Sequence, residues 1–287
     1  MRLIRAGTLG AESPGVELPD GTRLDASSLA ADYDEAFFTG DGLVELTTWL
    51  DRDGRRAPRI PPDVRLGPPV ARPSKIVCIG LNFRDHAEES GQPTPGEPVI
   101  FFKATTAICG PSDDVIMPRG GSKLDWEVEL AVVIGSRTTW VEASRALDCV
   151  AGYLLHNDYS ERAFQMERGG QWVKGKSADT FAPMGPTLVT RDELGDAGRL
   201  GMWLRVNGQT RQQGSTADMI FDVPTLVSYV SEFMTLLPGD IISTGTPAGV
   251  GLGIKPAPRY LAIGDVVELG IDGLGSQRQV VRAYEGP

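Results

Sequence analysis

The sequence predicts an α+β protein that is mostly β, with a mixed sheet, few helices and a small additional N-terminal domain. Its 35 glycines and 21 prolines make up 56 of 287 residues, which is typical of many turns and short strands. From Lys75 onward, short β-branched runs recur, and helical segments do not alternate regularly with them. This order argues against a doubly wound fold.

The N-terminal domain is predicted to span residues 1–66, and the larger domain residues 67–287. A strand is expected at Arg2–Ala6, and leucines at helical spacing predict a helix at Gly42–Arg52. The Pro- and Arg-rich stretch Arg55–Pro73 cannot pair as a central strand, so it is predicted to be a linker.

The larger domain alternates short apolar runs with turn signals. Strands are predicted at Lys75–Gly80, Pro98–Lys103, Glu127–Gly135, Val150–Asp158, Arg199–Asn207, Asp240–Thr244, Asp265–Ile271 and Gln279–Ala283. Helices are predicted at Glu142–Cys149, Ser160–Arg168 and Pro224–Thr235, the last one N-capped by Asp222. The dipeptide Asn207-Gly208 predicts a tight turn after the strand Arg199–Asn207.

Charge and hydrophobicity restrict the possible partners. With 28 Lys+Arg against 38 Asp+Glu, the net charge is −10, and no basic cluster is present. This argues against nucleic acid or an anionic membrane as the main partner. No apolar run approaches the ~20 residues of a membrane helix, and Met1–Gly10 lacks the apolar region of a secretory signal.

Cysteine and histidine are both scarce. Cys78, Cys109 and Cys149 are odd in number and widely spaced, which predicts reduced thiols in a cytoplasmic protein rather than disulfides or a zinc cluster. The only histidines are His86 and His156, so any metal site must depend on carboxylates.

The most informative segment places acidic residues at alternate positions. In a strand, Asp125, Glu127 and Glu129 would share one face, about 6.5–7 Å apart, while the apolar residues between them face the core. Two carboxylates at this spacing can bind a hard divalent cation. The alternative is a half-buried strand whose acidic face is simply solvated.

A further carboxylate, Asp158, lies at the end of the next predicted strand. It could simply cap the helix that follows. Together with Glu127 and Glu129, however, it would supply three oxygen ligands, which suits Mg²⁺ or Mn²⁺ rather than structural zinc.

Three other segments contain candidate site residues. His86 and Glu89 are i,i+3 neighbours, so the carboxylate could orient the imidazole as a base. Prolines and a glycine follow this helix, which predicts a mobile element over the site. The alternative is an exposed, charged helix with a surface histidine. Lys176, expected in a loop, is either solvated or stabilises an oxyanion. The Gly-rich stretch around Thr246 lacks the ending of a nucleotide P-loop and could instead bind a carboxylate.

Taken together, these segments resemble the fumarylacetoacetate hydrolase family, over residues 75 to about 251 and in family order. The matching pieces are Gly80-Leu81-Asn82 with His86 and Glu89, Phe102-Lys103, Glu127-Val128-Glu129, Asn157 to Arg162, Lys176-Ser177 with Asp179-Thr180-Phe181, and Thr244 to Pro247 with Gly249-Val250-Gly251. Residues 1–66 resemble the small, variable N-terminal domain of that family.

The resemblance implies a β-roll-like mixed sheet, commonly a homodimer, and a role for each candidate residue. Glu127, Glu129 and Asp158 would bind Mg²⁺ or Mn²⁺; His86 and Glu89 would activate water from a lid; Lys176 would lie beside the metal; Thr246 would bind the substrate carboxylate; and Gln165 and Lys103 would lie near the pocket.

The segment Arg162–Lys176 looks most similar to bacterial members that hydrolyse 2,4-diketo-3-deoxy sugar acids or other acylpyruvates. The implied reaction breaks the C3–C4 bond of a small-molecule 2,4-diketo acid and releases pyruvate and a carboxylic acid. Oxaloacetate decarboxylation and ureidoglycolate lysis are alternatives on the same kind of site. A non-catalytic acidic binding protein is a third possibility, and it would bind no divalent metal.

Overall fold

β-Strands account for most of the regular structure, 32% of the chain against 24% in helices, so the mostly β prediction is confirmed. A computed structural model describes residues 1–286. The strands in that range are β1 (Arg2–Ala6), β2 (Ser13–Glu17), β3 (Arg23–Asp25), β4 (Arg59–Ile60), β5 (Leu66–Gly67), β6 (Ile76–Gly80), β7 (Val99–Lys103), β8 (Ile108–Cys109), β9 (Val115–Ile116), β10 (Leu124–Asp125), β11 (Val128–Ile134), β12 (Val150–Asn157), β13 (Ser160–Glu161), β14 (Ala182–Pro183), β15 (Leu188–Thr190), β16 (Gly201–Val206), β17 (Gln209–Ser215), β18 (Ile241–Ser243), β19 (Val266–Ile271) and β20 (Gly275–Arg282).

The helices are short. The α-helices are α1 (Glu35–Thr39), α2 (Gly42–Arg52), α3 (Arg84–Glu89), α4 (Arg162–Met166), α5 (Val173–Lys176), α6 (Arg191–Leu194) and α7 (Val223–Phe233). Single 3₁₀ turns or short 3₁₀ helices occur at Gly54–Arg56, Thr105–Ala107, Ala143–Cys149, Ala197–Arg199, Thr216–Asp218 and Gly251–Gly253. Of the helices within residues 1–286, none has both the length and the apolar character needed to cross a membrane.

One large mixed sheet organises the molecule, in the order β4-β3-β2-β1-β15-β12-β11-β18-β6-β7, with β5 also paired to β1. Neighbouring strands are antiparallel except β18 and β6, which run parallel with Ile242 opposite Val77. The long pair β11–β12 lies near its centre, with Leu130 opposite Leu155. A smaller sheet, β17-β16-β19-β20-β9, packs against β11 and β12.

The hairpin β16–β17 confirms the predicted turn, because Asn207 and Gly208 both adopt positive φ, 51° and 75°. Helix α7 also follows the prediction, and Asp222 accepts a hydrogen bond from the backbone N–H of Thr225.

The core lies around β11 and β12, in which every residue is buried. The acidic residues share this burial, since Glu127 is 5% exposed and Glu129 only 2%. The alternative of a solvated acidic face is therefore wrong. Buried carboxylates require charged or hydrogen-bonding partners, and those partners define the site described below.

Several predicted elements differ from the structure. The helix predicted at Glu142–Cys149 is a 3₁₀ helix that spans Ala143–Cys149. The helix expected at Ser160–Arg168 begins only at Arg162, because Ser160 and Glu161 pair with β10 and the Glu161 side chain caps α4 through the N–H of Ala163. Lys176 is not in a loop but ends α5. A Cβ at Gly175 would lie 2.5 Å from the Glu161 carbonyl oxygen, so glycine lets this turn pack closely.

The Pro-rich stretch predicted as a linker contains two paired strands. β4 lies at the edge of the large sheet, and β5 pairs with β1. In addition, β1 pairs with β15, with Leu3 opposite Leu188, so the large sheet continues across residue 66. The division of the chain at residue 66 stays a prediction.

Candidate functional site

A cavity of about 510 Å³ opens between α3, the end of β6, the start of β11 and the stretch from Thr246 to Lys255. Seven of the nine residues predicted for the site line it: His86, Glu89, Glu127, Glu129, Gln165, Lys176 and Thr246. The remaining two, Lys103 and Asp158, are buried behind this lining and are linked to it by hydrogen bonds.

Strand pairing brings the three predicted metal ligands together. Glu127 directly precedes β11, Glu129 lies on it, and Asp158 directly follows β12. The antiparallel register places Val128 opposite Asn157, and the Asp158 N–H donates to the Glu127 carbonyl oxygen at 2.9 Å. As a result, one carboxylate oxygen from each ligand lies within 4.8 Å of the others.

Two buried lysines neutralise part of this charge. Lys176 Nζ donates to Glu127 Oε2 at 2.6 Å and to Asp158 Oδ2 at 2.8 Å. Lys103 Nζ donates to Asp158 Oδ1 and to the Tyr159 carbonyl oxygen. Burial by itself would raise the pKa of Asp158, but the two lysines outweigh it and hold that pKa below its ordinary value.

Among the residues that the structure describes, no lysine or arginine forms an ion pair with Glu129. Its Oε2 accepts hydrogen bonds from the Ser243 hydroxyl at 2.5 Å and the Gly245 N–H at 3.0 Å. Burial, reinforced by the charges of Asp158 and Glu127, raises its pKa well above the ordinary value. Negative charge in the cluster is therefore incompletely offset by protein cations.

Ser243 is in turn oriented by His156. The imidazole Nδ1 lies 2.6 Å from Ser243 Oγ, and because the hydroxyl hydrogen is donated to Glu129, Nδ1 must carry the hydrogen of this bond. Burial lowers the pKa of His156 to about 3, so the ring is neutral. Sequence reasoning missed this hydrogen-bond chain, since nothing local connects positions 129, 156 and 243.

The cluster fits a divalent cation. Three convergent carboxylates provide the hard oxygen ligands that Mg²⁺ and Mn²⁺ prefer. Glu127, Glu129 and Asp158 are the residues that would bind it.

Arg162, also overlooked as a site residue, connects the cluster to its surroundings. Its Nη2 donates to Glu127 Oε1 at 2.6 Å, its Nη1 to Gln165 Oε1 at 3.0 Å and its Nε to Asp125 Oδ2 at 2.8 Å. Asp125 additionally accepts from the N–H groups of Gly251 and Leu252. Asp125 is thus a structural member of the acidic segment, placed beside the cluster rather than in it.

His86 and Glu89 lie on α3, across the cavity from the carboxylates. His86 is 9% exposed, which excludes the alternative of an exposed surface helix at this position. His86 Nδ1 lies 3.5 Å from Glu89 Oε2, at the limit of a hydrogen bond. Both Glu89 oxygens are closer, at 3.1 Å, to the backbone nitrogen of Gly249.

Thr246 lines the cavity, but its hydroxyl is already engaged. It donates to the Val128 carbonyl oxygen at 2.9 Å and accepts from Gln212 Nε2 at 2.7 Å. To donate to a substrate carboxylate, this hydroxyl would first have to release Val128.

Six apolar side chains also line the cavity: Ile79, Leu81, Phe101, Met166, Trp172 and Leu252. The polar residues Ser90, Gln92, Arg162 and Lys255 complete the lining together with two glycines. Trp172 packs edge-on against Phe101, with ring centroids 5.3 Å apart. A pocket that combines buried charges with apolar walls can orient a small polar substrate and exclude water from its reacting atoms.

Comparison with known proteins is consistent with this geometry. Residues 75–282 match the family model described as fumarylacetoacetate (FAA) hydrolase C-terminal. A Burkholderia multivorans protein, named as an inferred hydrolase with no substrate given, is 50% identical over 283 residues, 99% of each chain.

Two solved structures extend the comparison. Maleylpyruvate hydrolase from Sphingobium sp. SYK-6, in complex with manganese(II) and pyruvate, is 30% identical with a TM-score of 0.81, covering 99% of this chain and 100% of that one. The 5-carboxymethyl-2-hydroxymuconate delta-isomerase from Mycobacterium smegmatis is 34% identical with a TM-score of 0.77, covering 100% of both chains. The protein is an enzyme of the hydrolase or isomerase type and belongs to the fumarylacetoacetate hydrolase family.

Proposed function

We propose that this protein is a divalent-metal-dependent hydrolase that cleaves the C3–C4 bond of a 2,4-diketo acid, an acylpyruvate or a 2,4-diketo-3-deoxy sugar acid. The observation that carries the proposal is the facing arrangement across one cavity. Glu127, Glu129 and Lys176 line one side, with Asp158 buried directly behind them, and His86 lies on the other. A similar protein crystallised with manganese(II) and pyruvate supports both the metal and the product.

The chain's own residues would supply charge and proton transfer. With Nδ1 directed toward Glu89, the other ring nitrogen of His86 is free to accept a proton from a water molecule. That water adds to C4, the C3–C4 bond breaks, and its electron pair remains on C3 as the enolate of pyruvate, which is then protonated. Lys176, fixed by two carboxylates, places positive charge near the developing enolate oxygen.

A cation bound by Glu127, Glu129 and Asp158 would act as a Lewis acid for the substrate oxygens. An isomerase or a decarboxylase needs the same stabilised enolate but no attacking water. The isomerase among the structural relatives makes this the second candidate.

The test is a substrate comparison with purified, metal-free protein reloaded with Mg²⁺ or Mn²⁺. An acylpyruvate, a diketo sugar acid, oxaloacetate, ureidoglycolate and a hydroxymuconate are incubated separately, and pyruvate, glyoxylate or double-bond migration is followed. We expect pyruvate and a carboxylic acid from a diketo acid, with loss of activity in EDTA. Turnover of oxaloacetate or the hydroxymuconate alone would favour the second candidate.

A further inference from the structure

The side chain of Glu89 contacts two glycines, accepting a hydrogen bond from Gly249 and filling the space beside Gly253 where a Cβ would lie. Its carboxylate accepts from the Gly249 N–H at 3.1 Å, and a Cβ at Gly253 would lie 2.2 Å from Glu89 Cδ and 2.4 Å from Oε1. Any side chain at position 253 would therefore displace this carboxylate.

The two glycines are required for different reasons. Gly249 has φ +104°, and a Cβ there would lie 1.9 Å from the Arg211 carbonyl oxygen, so its own backbone demands glycine. Gly253 does not adopt a left-handed φ, and its three nearest contacts are all atoms of Glu89. Glycine is therefore required at position 253 by the Glu89 side chain and not by the backbone conformation at that position.

This contact fixes the end of the helix that carries His86. At the start of α3, Asn82 is anchored through hydrogen bonds to the backbone of Phe221 and Thr244. At its end, Glu89 holds the Gly249 N–H. Beyond the helix, the chain continues into Pro93, Pro95 and Pro98. Within that stretch, Glu97 accepts a hydrogen bond from the Tyr229 hydroxyl.

We infer that Gly253 is a positioning residue. By leaving room for Glu89, it allows the C-terminal end of α3 to dock on the Gly249 backbone and keeps His86 directed at the carboxylate cluster. Glu89 thus acts as an anchor of α3 and not only as a partner of the imidazole. The effect of Gly253 on turnover rests on the proposed function, whereas its effect on α3 does not.

The test compares Gly253→Ala with Gly96→Ala in the full chain. Gly96 lies in the same region of the sequence, but a Cβ there would meet nothing within 4 Å, and its φ is not left-handed. Hydrogen–deuterium exchange of residues 84–92 is measured without substrate. We expect about three- to tenfold faster exchange in Gly253→Ala, the equilibrium equivalent of one lost hydrogen bond, and no change in Gly96→Ala.

A second pair of variants separates displacement of Glu89 from general destabilisation. In a Glu89→Ala background, Gly253→Ala should add no further exchange, because the side chain it displaces is gone. Unchanged exchange in Gly253→Ala, or an equal increase in the Glu89→Ala background, would overturn the inference. If the wild type cleaves no diketo acid, the proposed function fails, yet the exchange comparison still decides the role of Gly253.

Discussion

Each of the three clustered carboxylates is stabilised by a different set of donors. Glu127 contacts Arg162 and Lys176, and Asp158 contacts two lysines. Within residues 1–286, the donors to Glu129 are a hydroxyl and a backbone N–H, both uncharged. Glu129 is therefore the ligand whose ionised form depends most on an added cation.

The first prediction at this scale concerns His86. His86→Ala should lower diketo acid hydrolysis by about 10²–10⁴-fold, the usual contribution of a positioned acid–base group. The Kd for Mn²⁺, measured by calorimetry, should stay near the wild-type value, because His86 is not one of the three clustered ligands. Oxaloacetate decarboxylation requires no activated water and should fall less.

Glu89→Gln is the matched variant for the same prediction, since an amide oxygen can still accept from the Gly249 N–H. We expect a smaller loss of hydrolysis than in His86→Ala. Full hydrolase activity without His86, or equal losses in hydrolysis and decarboxylation, would show that α3 does not activate the water.

Residue-level prediction from sequence succeeded where spacing alone decides the geometry. Alternation places Glu127 and Glu129 on the same side, and the end of a buried strand identifies Asp158 as a candidate. The sequence did not identify the basic residues that contact these carboxylates. Arg162 is an ordinary residue near a predicted helix start, and only the burial of two carboxylates reveals that it must neutralise them.

At the scale of elements, Asp125 joins three of them. Its carboxylate binds Arg162 of α4 and the N–H groups at the 3₁₀ turn Gly251–Gly253, while its backbone belongs to β10. Arg162 on one side of Asp125 and the turn Gly251–Gly253 on the other both contribute residues to the cavity lining. The placement of α4 and of the chain that receives Glu89 therefore depends on one side chain.

We predict that Asp125→Asn lowers the free energy of unfolding by about 3 kcal/mol, because Arg162 then keeps only one carboxylate for its buried charge. Urea denaturation measures the change. Asp272→Asn is the control, since Asp272 accepts a backbone N–H from Gly201 at the surface and its substitution should cost less than about 0.5 kcal/mol. Equal effects of the two variants would contradict a special role for Asp125.

The ends of helices were hardest to predict where a side chain that does not belong to the hydrophobic periodicity sets them. The helix expected from Ser160 is shortened because Glu161 accepts from Ser122, Lys123 and Ala163, and this fixes the residue at which α4 begins. In contrast, Asp222 and Asn207-Gly208 act within their own segments, and the elements they flank were predicted.

For the whole molecule, binding of a divalent cation to the folded protein should raise its melting temperature, Tm. A ligand that binds only the folded state adds about 2.7 kcal/mol at a hundredfold excess over Kd, which for a chain of this size corresponds to roughly 4–5 °C in Tm. We therefore expect Mn²⁺ to raise the Tm of EDTA-treated protein by this amount, measured by scanning calorimetry.

Glu127→Ala, Glu129→Ala and Asp158→Ala should each remove most of this increase and abolish activity, because each deletes one of three oxygen ligands. The folded state should persist, as judged by circular dichroism. A full Mn²⁺ shift in any of the three variants would remove that residue from the proposed ligand set.

At this scale, the sequence predicted the class of fold but not its connectivity. Gly- and Pro-rich turns and short strands gave the mostly β mixed sheet. Which strands are neighbours depends on packing between distant segments, and the pairing of β1 with β15 has no local signal.

The pairing of β1 with β15 also constrains the order of events during synthesis. Arg2 lies opposite Val189, so β1 must wait for the synthesis of 187 further residues before this partner exists. Until then β1 can pair only with β2 and β5, which are available early. Contacts of such large sequence separation form slowly, so completion of the large sheet is expected late in folding, after the central β11–β12 hairpin has been made.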